Sequence, residues 1–350
     1  MRTLLTLVLL TLAVAVVFAG GYQINEHGTK AMGMGGAFAA QASDPSAIFF
    51  NPAGLTQLKG INVMIGGTAI MPVATFSGPT LPGFTSTSTD MVKQTFFPPN
   101  AYVTYNHGDW AFGIGFFAPF GLGTEWPASW GGVPAIGQYE AYITDLQAFY
   151  INPTVAYRFN DQLSVGVGAS YVFGTVKFKQ KINDPAFGGA VPDWNSALEG
   201  TGTGINFNLG VMYKPTPKLS IGVSYRFLTE IEFEGDVAFT DIPNVQVPIA
   251  PGVTIPLAAL FPDQGAKAKI PMPSNLFAGV AYDFSDRFTL EADFQFVGWS
   301  AYKELKISFE DGVAGDMDIT EPGDYKNTYL IRVGGEYRLT DLALRAGFIY

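Results

Sequence analysis

The 350 residues contain no cysteine, only two histidines and a sparse 14% of charged side chains. After the amino terminus they contain no uninterrupted apolar run of the roughly 18 residues that a spanning helix needs. Each shortage excludes something. Without cysteine there is no disulfide framework to hold a small exported core. The longest apolar candidate, Ile249 to Phe261, is too short for a helical span and is broken by Pro251 and Pro256. Positive charge is scarce as well: the net charge of −10 argues against nucleic acid, whose binding depends on Lys and Arg neutralising phosphates. His27 and His107 fall in an amino-terminal segment and in a short turn, where neither can join a Ser and a carboxylate in a catalytic triad. No metal cluster, phosphate-binding Gly-rich loop or carboxylate pair stands out, so no cofactor, no metal and no catalysis are expected.

What is present is grease in a regular rhythm. The chain is 48% hydrophobic and 14% aromatic. In Gly204-Ile205-Asn206-Phe207-Asn208-Leu209-Gly210-Val211-Met212-Tyr213 the large apolar side chains take every second place, and Gly, Asn and Met fill the others. Strand side chains alternate between faces, so one face suits lipid and the other does not. The same period returns in Leu163 to Phe173 and Leu219 to Phe227. Eleven such strands are expected, near residues 62–74, 100–107, 110–118, 146–159, 163–177, 204–214, 219–232, 274–284, 288–309, 327–338 and 342–350. Short connections alternate with long ones, as periplasmic turns alternate with outer loops in a transmembrane antiparallel β-barrel. Tyr105, Tyr157, Tyr213, Tyr282 and Tyr337 sit just before the short turns, where an interfacial aromatic girdle would place them.

The start supplies an address. Met1-Arg2, an apolar stretch from Leu4 to Phe18 and a small-residue site at Ala19 predict a secretory signal peptide over residues 1–19. Export plus a barrel points to the outer membrane of a Gram-negative cell, with membrane lipid as partner. Residues 20–60 read differently from the rest. They are rich in Ala, Met and Gly, and Asp44-Pro45 and Asn51-Pro52 pair a polar cap with Pro at a first helical position. This predicts a small helical hatch folded into the lumen of a barrel formed by residues 61–350. Eleven is odd, whereas bacterial single-chain barrels have even strand numbers. Either a strand escapes notice, or the chain stops before the barrel closes, and the clean alternation running up to Tyr350 favours the second.

Gly21-Tyr22-Gln23-Ile24-Asn25-Glu26, the Gly-rich Met32 to Gly36 and Asn51-Pro52-Ala53 resemble the hatch of the FadL-like family of outer-membrane long-chain fatty-acid transporters and toluene channels. The likeness continues through Gly121 to Trp126, Ala156 to Asn160, Tyr225-Arg226, Ile231 to Gly235 and Trp299-Ser300. The resemblance implies a barrel of fourteen strands, three more than the eleven counted. It implies passive uptake of fatty acids or aromatic hydrocarbons by capture in an outer groove, hatch movement and sideways exit through the wall, with the chain acting as a monomer. Asn51, Pro52 and Ala53 would anchor the hatch, although Asn51 is also an ordinary helix cap. Gly113, Gly115, Pro119 and Gly121 would mark the lateral gate at the outer end of the third strand, because Gly weakens a strand and Pro donates no ladder bond. The plain alternative is that the strand ends before Pro119.

Trp126, Trp130, Val133 and Ile136 form a greasy loop suited either to capture or to closing the barrel mouth. In the ninth strand the apolar parity switches between Phe296 and Leu305, and a bulge near Gly298 would turn Lys306 into the lumen. There it matches a family lysine that meets the substrate carboxylate. Lys306 and Arg332 are therefore expected ligand residues, unless Glu291 and Glu304 pair with them as an internal network. The family's other basic position falls near Gln180, flanked by Lys179 and Lys181, which leaves neutral hydrocarbons open as cargo. A hydrophilic diffusion porin is the rival, since Arg226, Glu291, Asp293, Gln295, Arg332, Glu336 and Arg345 all fall at lumen positions. An adhesin is a more distant one.

Overall fold

The computed structural model describes residues 21–77, 88–127, 141–182, 192–310 and 319–350. The expected signal peptide, residues 1–19, and Trp130, Val133 and Ile136 lie outside the described residues. Among the described residues, nineteen strands run in chain order. They begin with β1 (Ile61–Gly67), a loop hairpin of β2 (Thr75–Ser77) and β3 (Ser88–Asp90), β4 (Pro99–His107), β5 (Trp110–Glu125), β6 (Ile143–Arg158), β7 (Leu163–Ile182) and β8 (Trp194–Thr216). There follow β9 (Leu219–Arg226), β10 (Thr229–Thr240), the hairpin β11 (Gln246–Ala250) and β12 (Val253–Pro256), and β13 (Gln264–Met272). The chain finishes with β14 (Asn275–Ser285), β15 (Phe288–Val297), β16 (Glu304–Phe309), β17 (Ile319–Pro322), β18 (Thr328–Arg338) and β19 (Ala343–Ile349).

Eleven of these form one continuous antiparallel wall in the order β1-β4-β5-β6-β7-β8-β9-β14-β15-β18-β19. Their alternation is inside out relative to a soluble sheet. On β8, Ile205 is 66% exposed and Asn206 is 1% exposed, and Phe207, Leu209, Val211 and Tyr213 follow Ile205 outward while Asn208 and Met212 follow Asn206 inward. An outer face of large apolar side chains is what a bilayer solvates. No helix of the described residues is long and apolar enough to cross a membrane. At the short-turn end Tyr105, Tyr213, Tyr282 and Tyr337 point outward, and Tyr157 packs on Trp110 at a centroid distance of 4.7 Å.

Two expected strands are broken. The seventh stops at Arg226, and β10 resumes at Thr229 on a different course. The half of β8 near the short turns pairs with β9, whereas its far half, Asn195 to Thr203, pairs with β10. β10 then continues the sheet through β13, β16 and β17, so the wall forks. The ninth strand ends at Val297. A 3-10 turn at Trp299–Ala301 then carries the chain away, and Gly298 N donates to Ser274 O at 2.9 Å. The parity switch therefore marks a change of element rather than a bulge.

Residues 22–60 lie inside the wall. They carry two short helices, α1 (Thr29–Gly33) and α2 (Ala47–Phe50), and a 3-10 turn at Pro52–Gln57. Met34, Phe38, Ala39, Ala40, Ile48, Ala53 and Leu55 are fully enclosed. The wall makes room for them with glycine. A Cβ on Gly222 would collide with the Ala39 carbonyl, one on Gly334 or Gly347 with Met34, and one on Gly166 or Gly210 with Pro52. These inward glycines let the hatch backbone lie directly against the strands.

Candidate functional site

Two structures meet at the centre of the barrel: the contacts that seat the hatch, and an apolar cavity at the long-loop end. The seat is built on β15, whose alternation sends Glu291, Asp293 and Gln295 inward. Asp293 Oδ2 accepts hydrogen bonds from Phe38 N and Ala39 N at 2.8 and 2.9 Å, and Glu291 Oε1 accepts from Ala40 N at 2.7 Å. These bonds from backbone N–H groups to buried carboxyl oxygens tie the hatch to the strand. Arg332 on β18 donates through Nη1 to Gly35 O at 2.8 Å and through Nη2 to Gln295 Oε1 at 2.8 Å. It is buried against the hatch, away from the cavity, which corrects its expected ligand role. Glu336 binds Arg338 and Arg345 at 2.6 Å each and lies 3.6 Å from Lys30 of the hatch.

Asn51 combines the two roles open to it. Its Oδ1 accepts from Ala53 N at 3.2 Å as a cap, while its Nδ2 donates to Ala39 O at 2.8 Å and to Val211 O of the wall at 3.1 Å. His27 is buried against Phe49, with ring centroids 3.9 Å apart. Its Nε2–H donates to Ile24 O at 2.9 Å. Burial pushes its pKa down to about 3, the bond to Ile24 opposing and Arg226 adding to the shift.

The residues expected to mark a gate are placed differently. Gly113 and Gly115 are not at the outer end of their strand and are fully paired, with Thr104 and Tyr102 on β4 and with Thr154 and Asn152 on β6. A Cβ at either would press on Ile48 of the hatch, so these glycines serve packing rather than weakness. The strand does not end at Pro119 but continues to Glu125. Its irregularity is narrower: the β6 register shifts between Phe117 and Phe120, which leaves Ala118-Pro119 opposite the single residue Phe149 as a bulge. β4 has no partner for β5 beyond Phe117.

The edge so vacated is taken by the hatch. Phe120 pairs with Ala148 of β6 on one side and bridges to Gln23 on the other, so Gln23 stands where β4 would have continued. Ile24 N donates to Pro119 O at 2.8 Å, and Gly121 N donates to Tyr22 O at 2.9 Å. The first residues of the hatch are thus part of the wall.

Tyr22 also floors the apolar cavity, of about 300 Å³. Leu146, Phe178, Leu198, Ile270, Leu305 and Ile307 give it an apolar lining, and Lys179 is the one cation among the described residues that line it, next to Gln180. Tyr22 Oη donates to Pro271 O at 2.7 Å, and its ring meets Trp299 edge-on at 4.8 Å. Lys306 is corrected. It stands exposed on the face of β16 opposite Leu305, Ile307 and Phe309, which point to the cavity. Trp126 is half-buried, with its N donating to Tyr142 O at 2.8 Å, and does not line the cavity. The signal for Lys179 was available in its neighbour Gln180; that for Tyr22 lay in the hatch segment rather than in any loop.

Residues 10–350 match the family model described as outer membrane protein transport protein (OMPP1/FadL/TodX). The long-chain fatty acid transport protein of Salmonella typhi is 24% identical over 368 aligned residues, covering 97% of this chain and 80% of the relative. Outer membrane protein P1 of Haemophilus influenzae is 25% identical, over 97% of this chain and 80% of its own length. Among solved structures, a Pseudomonas aeruginosa FadL homologue superposes with a TM-score of 0.77 at 19% identity, covering 94% of this chain and 80% of the other. The Ralstonia pickettii toluene transporter TbuX does so at 0.73 and 23%, covering 93% and 86%.

Proposed function

Since this chain belongs to the OMPP1/FadL/TodX family of outer membrane transport proteins, we propose that it is a β-barrel channel for passive uptake of hydrophobic compounds, long-chain fatty acids or aromatic hydrocarbons, across the outer membrane. The described cavity is apolar, concave and of ligand size, as small-molecule sites are. Cargo entering from the long-loop end occupies this cavity and displaces Tyr22 from its floor. Lys179 would compensate a carboxylate, which is costly to bury among apolar groups without a cation.

One observation carries the reading: Tyr22 lines the cavity, and the same short stretch, residues 22–24, completes the edge of β5 beside the Ala118-Pro119 bulge. When they withdraw, the floor and the wall open together. Cargo then leaves sideways into the bilayer rather than running through the whole hatch to the short-turn end. That same packing, with the carboxylates of β15 bonded to hatch N–H groups, opposes the porin reading, which needs a water-filled bore.

The discriminating experiment is a planar-bilayer recording paired with ligand titration. A quiet bilayer with saturable binding of a fatty acid or toluene is expected. A large, steady ion conductance with no saturable binding would establish the porin instead.

A further inference from the structure

Among the described residues, the buried charges of this lumen are compensated to different degrees. Glu291 and Asp293 receive hatch N–H groups, Glu336 has three basic neighbours, and Arg332 lies in the field of Asp293. Arg226, at the end of β9, is 5% exposed and is paired with no carboxylate among the described residues. Its Nη1 donates to Asn206 Oδ1 at 3.0 Å and its Nη2 to Asn152 Oδ1 at 3.4 Å, both neutral acceptors. The guanidinium lies over the rings of Phe49, Phe117 and Tyr150 at 5.5, 5.3 and 5.8 Å. Of its five N–H donors these bonds engage two. Leaving a buried cation without a counter-charge is costly, and neutral amides recover only part of that cost.

The place matters as much as the charge. Arg226 sits at the inner face of the fork, where β9 ends and β10 takes over pairing with β8. Phe117 immediately precedes the bulge. An aromatic chain leads there from the cavity floor: Tyr22 contacts Phe120 at 6.0 Å, and Phe120 contacts Tyr150 at 6.4 Å. Ser170, across from Asn206 on β7, is 2% exposed, and its hydroxyl has no hydrogen-bond partner. Phe49, one of the rings under the guanidinium, belongs to the hatch, so hatch movement uncovers the cation.

We infer that Arg226, assisted by Ser170, is an interior receiving station for the carboxylate of a long-chain acid, one step below the outer cavity and beside the lateral seam. The inference rests on the channel reading above and deepens it. A carboxylate arriving there gains the bidentate, charge-assisted partner that the empty channel lacks, while its tail lies along the rings of Phe117 and Tyr150. Neutral cargo passes the same point without needing the cation.

The test compares lauric acid with 1-dodecanol, two cargoes of equal tail length, in uptake by vesicles holding the full chain. Arg226→Met is expected to slow laurate uptake about tenfold, equivalent to about 1.4 kcal/mol, while dodecanol stays within about twofold and saturable laurate binding in the outer cavity is unchanged. Arg226→Lys keeps the cation and recovers part of the laurate rate, and Ser170→Ala lowers it by about threefold through one lost hydrogen bond. If Arg226→Met does not fold, the acid-against-alcohol ratio of the Lys and Ala variants decides. Equal losses for both cargoes would make Arg226 a structural strut, and no loss for either would remove it from the path; both overturn the proposal. Wild-type protein that carries neither cargo would bring down the channel reading itself, and the station with it.

Discussion

At the scale of single residues, glycine is the side chain that shapes this lumen. Gly222 lies against the Ala39 carbonyl, whereas a Cβ on Gly335, facing outward, would only reach ordinary contact at 3.7 Å from Phe288. Gly222→Ala is expected to loosen the hatch by about 1 to 3 kcal/mol of overpacking. Faster amide exchange across residues 34–42 would report it, and Gly335→Ala serves as the silent control. His27 sets a second expectation. Burial holds its folded-state pKa at about 3, below the ordinary 6.5, so the displaced hatch binds a proton that the seated hatch refuses. Seating is therefore favoured in full above about pH 6.5 and weakens as pH falls toward 3. Exchange measured at pH 7.5 and 4.5 should show this loss, and His27→Gln should remove the part that His27 contributes.

At the scale of elements, β5 shows how far the sequence could be read. The wall strands were legible because lipid and lumen impose opposite chemistries on alternate positions, and a period of two survives without knowledge of any partner. What stands opposite a residue leaves no such trace. Gly113 and Gly115 therefore read as weak pairing, though they accommodate Ile48. Lys306 read as an inward cation because the parity switch was ascribed to a bulge instead of a broken strand. Arg332 was rightly an inward cation, yet its partner is a hatch carbonyl rather than a ligand. Of Asn51 only the cap was legible, since the bond from Ala53 N is local, whereas the bonds from its Nδ2 to Ala39 O and to Val211 O reach across the fold and leave no trace in the sequence. Deleting Pro119 removes the extra residue and lets β5 and β6 pair without a shift. Uptake is then expected to fall by about tenfold while binding in the cavity persists, a split that separate equilibrium and flux measurements would reveal.

For the whole molecule, stability is divided between a lipid-solvated wall and a polar-bonded interior. Phe207 faces outward next to inward Asn206 and Asn208 on β8. Phe207→Arg is expected to cost about 2 to 4 kcal/mol near mid-membrane, read from denaturant unfolding in lipid vesicles. An equal charge placed at the rim should cost far less.

Because Tyr22 lines the cavity and its neighbour Gln23 completes the edge of β5, on the proposed route the lipid outside and the cargo inside hold opposite ends of one lever. Linkage is reciprocal: whatever cargo does to the seam, the seam must do to cargo. A bilayer whose thickness or lateral pressure strains the barrel beside Pro119 will therefore change how tightly the cavity grips its guest. The same protein titrated in thin and in thick membranes should return two different dissociation constants.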